Sequence, residues 1–195
     1  MRFVRLVLLG LLALGCADCS HASAGDTHET TASPSIYPLE VSLTDEHARP
    51  VGLDVDRGHL TIVSMFYGSC PVACPLIVSH VKEIESRVSP DAKKDLRVLL
   101  VSFDPAHDTP VALTALAQER ELDLDRWTLA TGPDDDVRQI AAVLGISYRP
   151  LAGGGFAHDA ILTVLDREGR PIARTDDANV DALVAAIDSH ARPGS

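Results

Sequence analysis

Two apolar runs of strand length dominate the hydrophobic pattern of the chain. Residues 60–67 and 96–103 are nearly continuous in apolar side chains, which is typical of central parallel strands covered on both faces. Between them, apolar residues recur with the period of an amphipathic helix, at Ile77, Val81, Ile84 and Val88. The pattern predicts a strand–helix–strand unit at the centre of a domain.

Three further helices are indicated by capping residues and apolar stripes. Thr109 and Pro110 form an N-cap and first-turn pair that opens one helix. Another begins after Pro133 with three acidic residues, whose charge the helix dipole favours, and ends before Gly145. The last is marked by an apolar stripe at Val180, Leu183, Val184 and Ile187.

Alternating apolar and polar positions predict two antiparallel hairpins. One comprises residues 39–43 and 50–55, and the other comprises residues 160–166 and 171–175. In chain order, the predicted elements form an α/β domain with a mixed central sheet. The order resembles a thioredoxin fold with an N-terminal β-hairpin and a helical insertion between the second central strand and the final hairpin.

Length and charge narrow the functional classes. A chain of 195 residues is expected to form one domain. Acidic residues outnumber basic ones by 28 to 17, and no basic run is present. Nucleic acid is therefore not an expected partner.

The N-terminus has the pattern of an export signal. Arg2 and Arg5 precede an apolar stretch, residues 6–14, that is too short for a typical transmembrane helix. Residues 22–24, Ala-Ser-Ala, match a signal-peptidase site, whereas Leu-Gly before Cys16 resembles a bacterial lipobox in which Cys16 carries the lipid. We expect an exported, periplasmic protein that is tethered to the inner membrane through its N-terminus if Cys16 is lipidated.

These signals predict three segments. Residues 1–24 form the signal peptide, which would end before Cys16 in the lipoprotein case. Residues 25–36 are poor in apolar side chains and are expected to form a flexible tether. Residues 37–192 form the folded domain.

Two cysteines stand where the first apolar run gives way to the helical pattern. Cys70 and Cys74 are thus predicted at a helix N-terminus, where the dipole stabilises thiolate, and Pro75 suits a first turn. In an oxidising compartment such a pair forms a disulfide unless it is kept reduced or binds a metal. A structural staple is disfavoured because so short a loop constrains the unfolded chain little. A redox pair and a metal site both remain open.

His158 is the candidate for a third ligand. It ends a glycine-rich segment, residues 153–159, that is expected to be a loop facing the cysteines in a thioredoxin-like fold. Oxidoreductases of that fold usually carry a cis-proline there, but the nearest proline is Pro150. Two thiolates and one imidazole suit Cu(I), whereas structural Zn(II) usually has four protein ligands. The histidine favours metal binding over disulfide exchange.

Four motifs occur together in the chain. They are the C-x-x-x-C segment 66–75, the D-P-x-x-D-T-P segment 104–110, Trp127-Thr-Leu, and the histidine before the final hairpin. Jointly they are specific, and from Tyr37 to the final helix the chain resembles the Sco/SenC family of copper chaperones for cytochrome c oxidase assembly.

The resemblance implies that Cys70, Cys74 and His158 bind copper, both Cu(I) and Cu(II), and that the cysteines also form a redox disulfide. The implied partner is cytochrome c oxidase subunit II, whose dinuclear copper centre would receive the metal or have its thiols maintained. A periplasmic copper donor and a thiol reductant are further implied partners. Asp104 and Asp108 are expected on the same edge as the cysteines, for electrostatic support or partner contact. Many family members have Asp before the histidine, where this chain has Ala157.

The alternative function is enzymatic. A periplasmic thiol-disulfide oxidoreductase or thiol peroxidase on the same fold would use Cys70 as nucleophile and Cys74 as resolving thiol. Both hypotheses require the cysteines, but only copper binding makes His158 indispensable. The requirement for His158 therefore distinguishes the two hypotheses.

Overall fold

A mixed seven-stranded sheet forms the centre of the computed structural model, which describes residues 33–70, 73–175 and 179–192, without the side chains of Ala73 and Cys74. The strands are β1 (Leu43–Asp45), β2 (Pro50–Val51), β3 (Leu60–Phe66), β4 (Leu96–Ser102), β5 (Trp127–Thr131), β6 (Tyr148–Pro150), β7 (Phe156–His158), β8 (Leu162–Leu165) and β9 (Pro171–Thr175). The helices are α1 (Ala73–Arg87), α2 (Pro90–Asp95), α3 (Pro110–Glu119), α4 (Asp134–Leu144) and α5 (Val180–His190). The strand order in the sheet is β2-β1-β5-β4-β3-β8-β9, and β6 and β7 form a separate two-stranded ribbon.

The two predicted central strands are confirmed. β3 and β4 pair in parallel from Leu60 with Leu96 to Phe66 with Ser102. Every residue of β3 is buried, as are six of the seven residues of β4. Because both strands run in the same direction and end level with each other, the turns that follow them lie at one edge of the sheet.

The predicted N-terminal hairpin exists, but both strands are shorter than expected, the first because it starts later and the second because it ends earlier. β1 begins at Leu43 instead of residue 39, and β2 ends at Val51 instead of residue 55. The Asp45 carboxylate accepts hydrogen bonds from the N–H groups of His47 and Arg49 and thereby closes the turn between the strands. The other side of β1 pairs with β5, so the sheet decides which residues are extended.

The sequence predicts a helical insertion between β4 and β8, but the insertion also contains strands. It contains α3 and α4, but also β5, which pairs in parallel with β4, and the ribbon of β6 and β7. Both helices begin as predicted. The Thr109 hydroxyl accepts the N–H of Ala112 at 3.3 Å, and Gly145 ends α4 with a φ of 61°.

The final hairpin and the last helix are also confirmed, as β8, β9 and α5. The predicted signal peptide, including Cys16, lies outside the described residues, as do residues 25–32 of the predicted tether. Ile36, at the end of that tether, is buried, and its N–H donates to the carbonyl of Gly169 at 2.9 Å. No described helix is long and apolar enough to cross a membrane.

Candidate metal centre

The turn after β3 brings Cys70 to the edge of the sheet. The Cys70 N–H donates to the carbonyl of Tyr67 at 3.2 Å, and only 7% of Cys70 is exposed. Helix α1 starts at Ala73, so Cys74 is its second residue and Pro75 its third. The structure thus places both cysteines at the strand-to-helix junction that the sequence predicts. The Cys74 side chain lies outside the described part of the molecule.

His158 lies at the end of a β-strand, not in the predicted glycine-rich loop. β7 pairs antiparallel with β6, with His158 opposite Tyr148. The glycines instead form the turn of this ribbon, where Gly154 and Gly155 have φ angles of 90° and 73°. Such angles are accessible to glycine without steric cost, and this allows the chain to reverse directly before Phe156.

The two nitrogens of the His158 ring have different surroundings. Nδ1 lies 3.0 Å from the carbonyl oxygen of Asp159. Because a carbonyl can only accept, Nδ1 carries the proton, and the lone pair of the neutral ring is on Nε2. Nε2 is buried and has no hydrogen-bond partner among the described residues. A buried nitrogen lone pair without a partner, on a ring oriented through its other nitrogen, is the arrangement found at metal-binding histidines.

Aromatic rings connect the histidine to the cysteine turn. The centroid of the His158 ring lies 4.9 Å from that of Phe103 and 5.8 Å from that of Tyr67. Tyr67 also contacts Phe156 edge-on at 5.2 Å and belongs to the turn that ends at Cys70. The ring of Tyr67 thus forms a direct physical link between the cysteine turn and the ribbon that carries His158.

Gly155 permits this close approach. A Cβ atom at Gly155 would lie 3.0 Å from the Tyr67 hydroxyl oxygen, in addition to the strain at its φ of 73°. No prediction from the sequence marked Tyr67, Phe103 or Phe156 as residues of the site. One signal was available for Phe156, because strand residues two positions apart share a face, and Phe156 stands two positions before His158.

The two acidic residues of the D-P-x-x-D-T-P segment are both buried but have different partners. Asp104 is 7% exposed, and both its carboxylate oxygens lie 2.9 Å from Nδ1 of His107, whose pKa this hydrogen bond raises. Asp108 is 5% exposed and accepts hydrogen bonds from the Gly68 N–H at 2.8 Å and from the Ser102 hydroxyl. Burial raises the pKa of the Asp108 carboxyl.

The geometry identifies the donor atoms available at this edge. Among the described side chains, which exclude that of Cys74, no three His, Cys, Asp or Glu side chains converge as a complete metal site. Cys70 and His158 are connected through Tyr67, and the backbone of Cys74 lies in the first turn of α1, four positions after Cys70 in sequence. The donor atoms of Cys70 and His158 are sulfur and imidazole nitrogen, which suit copper better than hard cations such as Mg²⁺.

Several solved structures of similar overall fold are described as Sco proteins. Yeast Sco1 with copper bound superimposes with a TM-score of 0.65 at 19% identity, over 83% of this chain and 92% of that one. A SCO1/SenC family lipoprotein from Bacillus anthracis gives a TM-score of 0.70 at 18% identity, over 79% of this chain and 95% of that one. These similarities confirm the predicted thioredoxin-like fold.

A third structure is that of BsSco, described with a disulfide switch and as a member of the Sco family of cytochrome c oxidase assembly proteins. It gives a TM-score of 0.65 at 18% identity, over 82% of this chain and 96% of that one. The family model described as SCO1/SenC matches residues 30–192. Since this match spans nearly all of the chain beyond its N-terminal segment, the protein belongs to the SCO1/SenC family.

Proposed function

We propose that this protein binds copper through Cys70, Cys74 and His158 and delivers it to the dinuclear copper centre of cytochrome c oxidase subunit II. The observation that carries the proposal is Nε2 of His158, which is buried without a hydrogen-bond partner among the described residues and belongs to a ring in contact with Tyr67 of the cysteine turn. Copper bound to the similar yeast Sco1 and the oxidase-assembly role of the BsSco family support it.

The three donors suit both oxidation states of copper. Two thiolates bind the soft Cu(I) ion, and the Nε2 lone pair adds the nitrogen ligand that Cu(II) prefers. His158 can bind copper through Nε2 without a change of tautomer, because its proton is on Nδ1 and is donated to the Asp159 carbonyl. That hydrogen bond orients the ring and increases the basicity of the ligating nitrogen.

Delivery would proceed by exchange of ligands. Thiolates of the partner site replace those of the chaperone one at a time, so that copper is transferred to the partner without a change of oxidation state. The cysteines must be reduced for this step. A disulfide between Cys70 and Cys74 must first be reduced with two electrons and two protons from a periplasmic thiol reductant. The resulting cysteines can then bind copper supplied by the donor.

The place of action proposed for the protein is the outer face of the inner membrane. The export signal, the lipobox-like sequence before Cys16 and the lipoprotein of similar structure from Bacillus anthracis support an N-terminal lipid anchor. Treatment of the producing cells with globomycin, which blocks lipoprotein signal cleavage, should cause the precursor to accumulate. Unchanged processing and a mature protein that begins at Gly25 would instead show use of the Ala-Ser-Ala site.

Substitution of His158 by Ala tests the proposal. Reduced wild-type and H158A proteins are titrated with Cu(I) and with Cu(II) against a competing chelator. We expect weaker Cu(I) binding and loss of the defined Cu(II) complex, because two thiolates alone can hold Cu(I) but leave Cu(II) without its nitrogen ligand. Disulfide formation between Cys70 and Cys74 should persist, since it does not involve the ribbon.

His107→Ala is the matched control. His107 is also next to the cysteine edge, but its ring is 76% exposed, and its Nδ1 hydrogen-bonds to the Asp104 carboxylate. H107A should bind both copper ions like the wild type. Unchanged copper affinity in H158A, together with turnover of a disulfide or peroxide substrate by metal-free protein, would favour the oxidoreductase function instead.

A further inference from the structure

The buried carboxylate of Asp108 lies next to Ser102, the last residue of β4, and contacts Gly68 of the cysteine turn. Its backbone is held by a hydrogen bond from its own N–H to the carbonyl of Asp104 at 2.9 Å, and Thr109 caps α3 directly after it. The side chain therefore leaves a rigid turn and points into the protein. Ionised acids are rarely buried without compensating partners, so the groups that it contacts show what it is used for.

Both hydrogen bonds to Asp108 are received by the same oxygen, Oδ2. One comes from the Ser102 hydroxyl, which in turn accepts the N–H of Asp104 at 3.0 Å. The other comes from the Gly68 N–H at 2.8 Å, two residues before Cys70. The first bond orients the carboxylate on β4, and the second joins it to the cysteine turn, forty positions away in sequence.

Gly68 is shaped to receive this carboxylate. A Cβ atom at Gly68 would lie 2.6 Å from Oδ1, 3.4 Å from Cγ and 3.7 Å from Oδ2 of Asp108, and these three atoms are its nearest neighbours. The φ angle of Gly68 is not among the positive ones. The glycine is therefore required for close approach of the carboxylate and not for an unusual backbone conformation.

Gly68 stands between Tyr67 and Cys70, the two residues of the turn that belong to the proposed site. Tyr67, before it, contacts the ring of His158, and its carbonyl accepts the N–H of Cys70. Fixing the Gly68 backbone thus constrains Cys70 on one side and the ring against His158 on the other. Outer contacts of this kind, which orient metal ligands without touching the metal, commonly change metal affinity by about 10- to 100-fold when they are removed.

We propose that Asp108 is a positioning residue that holds the cysteine turn against the His158 ribbon, and that Gly68 is its obligatory counterpart. This inference rests on the proposed copper site, and it assigns Asp108 no bond to copper. The carboxylate acts through the Gly68 N–H, and its effect on the site is geometric.

The test combines single and double substitutions at the two positions. D108A removes both acceptor contacts, and G68A introduces a methyl group where the carboxylate stands. We expect each to lower the Cu(II) affinity of the reduced protein by about 10- to 100-fold and to change the thiolate-to-copper charge-transfer absorption. The double variant G68A/D108A should be no worse than D108A, because the three atoms that crowd the new Cβ are absent.

D108N provides the conservative rescue. Its amide oxygen can still accept the Gly68 N–H with nearly the same shape, so its copper affinity should lie closer to that of the wild type than to that of D108A. Asp135→Ala is the control for the loss of a negative charge, since the Asp135 side chain is 92% exposed on α4. It should leave both affinity and absorption unchanged. Thermal unfolding of each variant confirms that the measurements are made on folded protein.

A second readout does not require copper. With Cys16, Cys19 and Cys74 replaced by Ser, Cys70 is the remaining thiol of the chain, and its rate of alkylation by iodoacetamide reports how often the turn opens. Loss of the hydrogen bond between the half-buried Gly68 N–H and the Asp108 carboxylate should accelerate alkylation in D108A by about 5- to 150-fold. Alkylation and copper affinity within twofold of the wild type in D108A, or additive effects of G68A and D108A, would overturn the proposal. Absence of copper binding in the wild type would refute the proposed function, while alkylation would still decide the role of Asp108.

Discussion

Each end of the central strands has an acid with a buried carboxylate oxygen, but only at one end do neighbouring groups donate hydrogen bonds to that oxygen. At the end of β4, Asp108 accepts hydrogen bonds from Gly68 and Ser102. Near the start of β3, Asp56 has one carboxylate oxygen that is buried without a hydrogen-bond partner among the described residues. Arg97 and His59 lower the pKa of this carboxyl electrostatically, but burial raises it by more.

Burial raises the pKa of both carboxyl groups, and that of Asp56 rises to about 6. A raised pKa alone therefore does not distinguish a functional edge from a merely structural one. The difference lies in the donors. Those at Asp108 belong to the turn that carries Cys70, whereas no described donor fixes the buried oxygen of Asp56. At the cysteine end of the sheet, hydrogen bonds therefore fix the position of the buried carboxylate, whereas at the opposite end they do not.

The largest expected effect is at the cysteine end and depends on its redox state. Oxidation of Cys70 and Cys74 to a disulfide should abolish Cu(I) binding, because the ligands must be thiolates. The experiment uses protein in which Cys16 and Cys19 are replaced by Ser, so that the remaining thiols of the chain are the two in question. One equivalent of Cu(I) is expected in the reduced protein and none after oxidation, with binding restored by reduction. Equal stoichiometry in the two states would contradict the proposed site.

A smaller effect is expected at the opposite end, where the folded state raises the pKa of Asp56 above its unfolded value. Between pH 4 and 6 the folded protein then binds more protons than the unfolded chain, so this group makes the free energy of unfolding fall as the pH rises. The carboxylate thus destabilises the folded protein at neutral pH. Asp56→Asn should increase the free energy of unfolding at pH 7.5 by about 2 kcal/mol, after allowance for partial solvent screening.

The measurement is urea unfolding of wild type and D56N from pH 3.5 to 7.5. The gain should grow between pH 4 and pH 6 and reach its full size above pH 6. It should be smallest at pH 3.5, where the wild-type carboxyl is largely protonated in both states. Asp54→Asn, at a more exposed acid on the same segment, is the control and should have no comparable effect. A D56N variant that is less stable than the wild type at pH 7.5 would show that the ionised carboxylate has stabilising partners.

The smallest effect concerns the start of α3, directly after Asp108. Thr109→Ala removes the hydroxyl that accepts the Ala112 N–H and should lower the free energy of unfolding by about 1 kcal/mol. Thr109→Ser keeps the acceptor and should restore most of the loss. Copper affinity should be unchanged in both, because the Thr109 hydroxyl hydrogen-bonds to the N–H of Ala112 within its own helix and not to the described part of the cysteine turn. A large loss of copper affinity in T109A alone would show that the helix start, and not the Asp108 side chain, positions the site.

The local signals in the sequence determined much of this protein. The apolar runs of β3 and β4, the caps of α3 and α4, and the position of Cys70 before a helix are all encoded by residues within a few positions of one another. Such features depend on side-chain period, capping and turn chemistry, which act over one or two turns of chain. The motifs around the cysteines and the histidine also sufficed to predict the family.

The tertiary structure decided the features that depend on distant residues. β5 has five residues and becomes a strand through pairing with β4 and β1, and the segment before His158 becomes a ribbon through pairing with β6. The burial of the His158 nitrogen and the approach of Asp108 to Gly68 likewise join residues that are far apart in the chain. Pairing of this kind is set by the packing of the whole sheet, so no local pattern could reveal it.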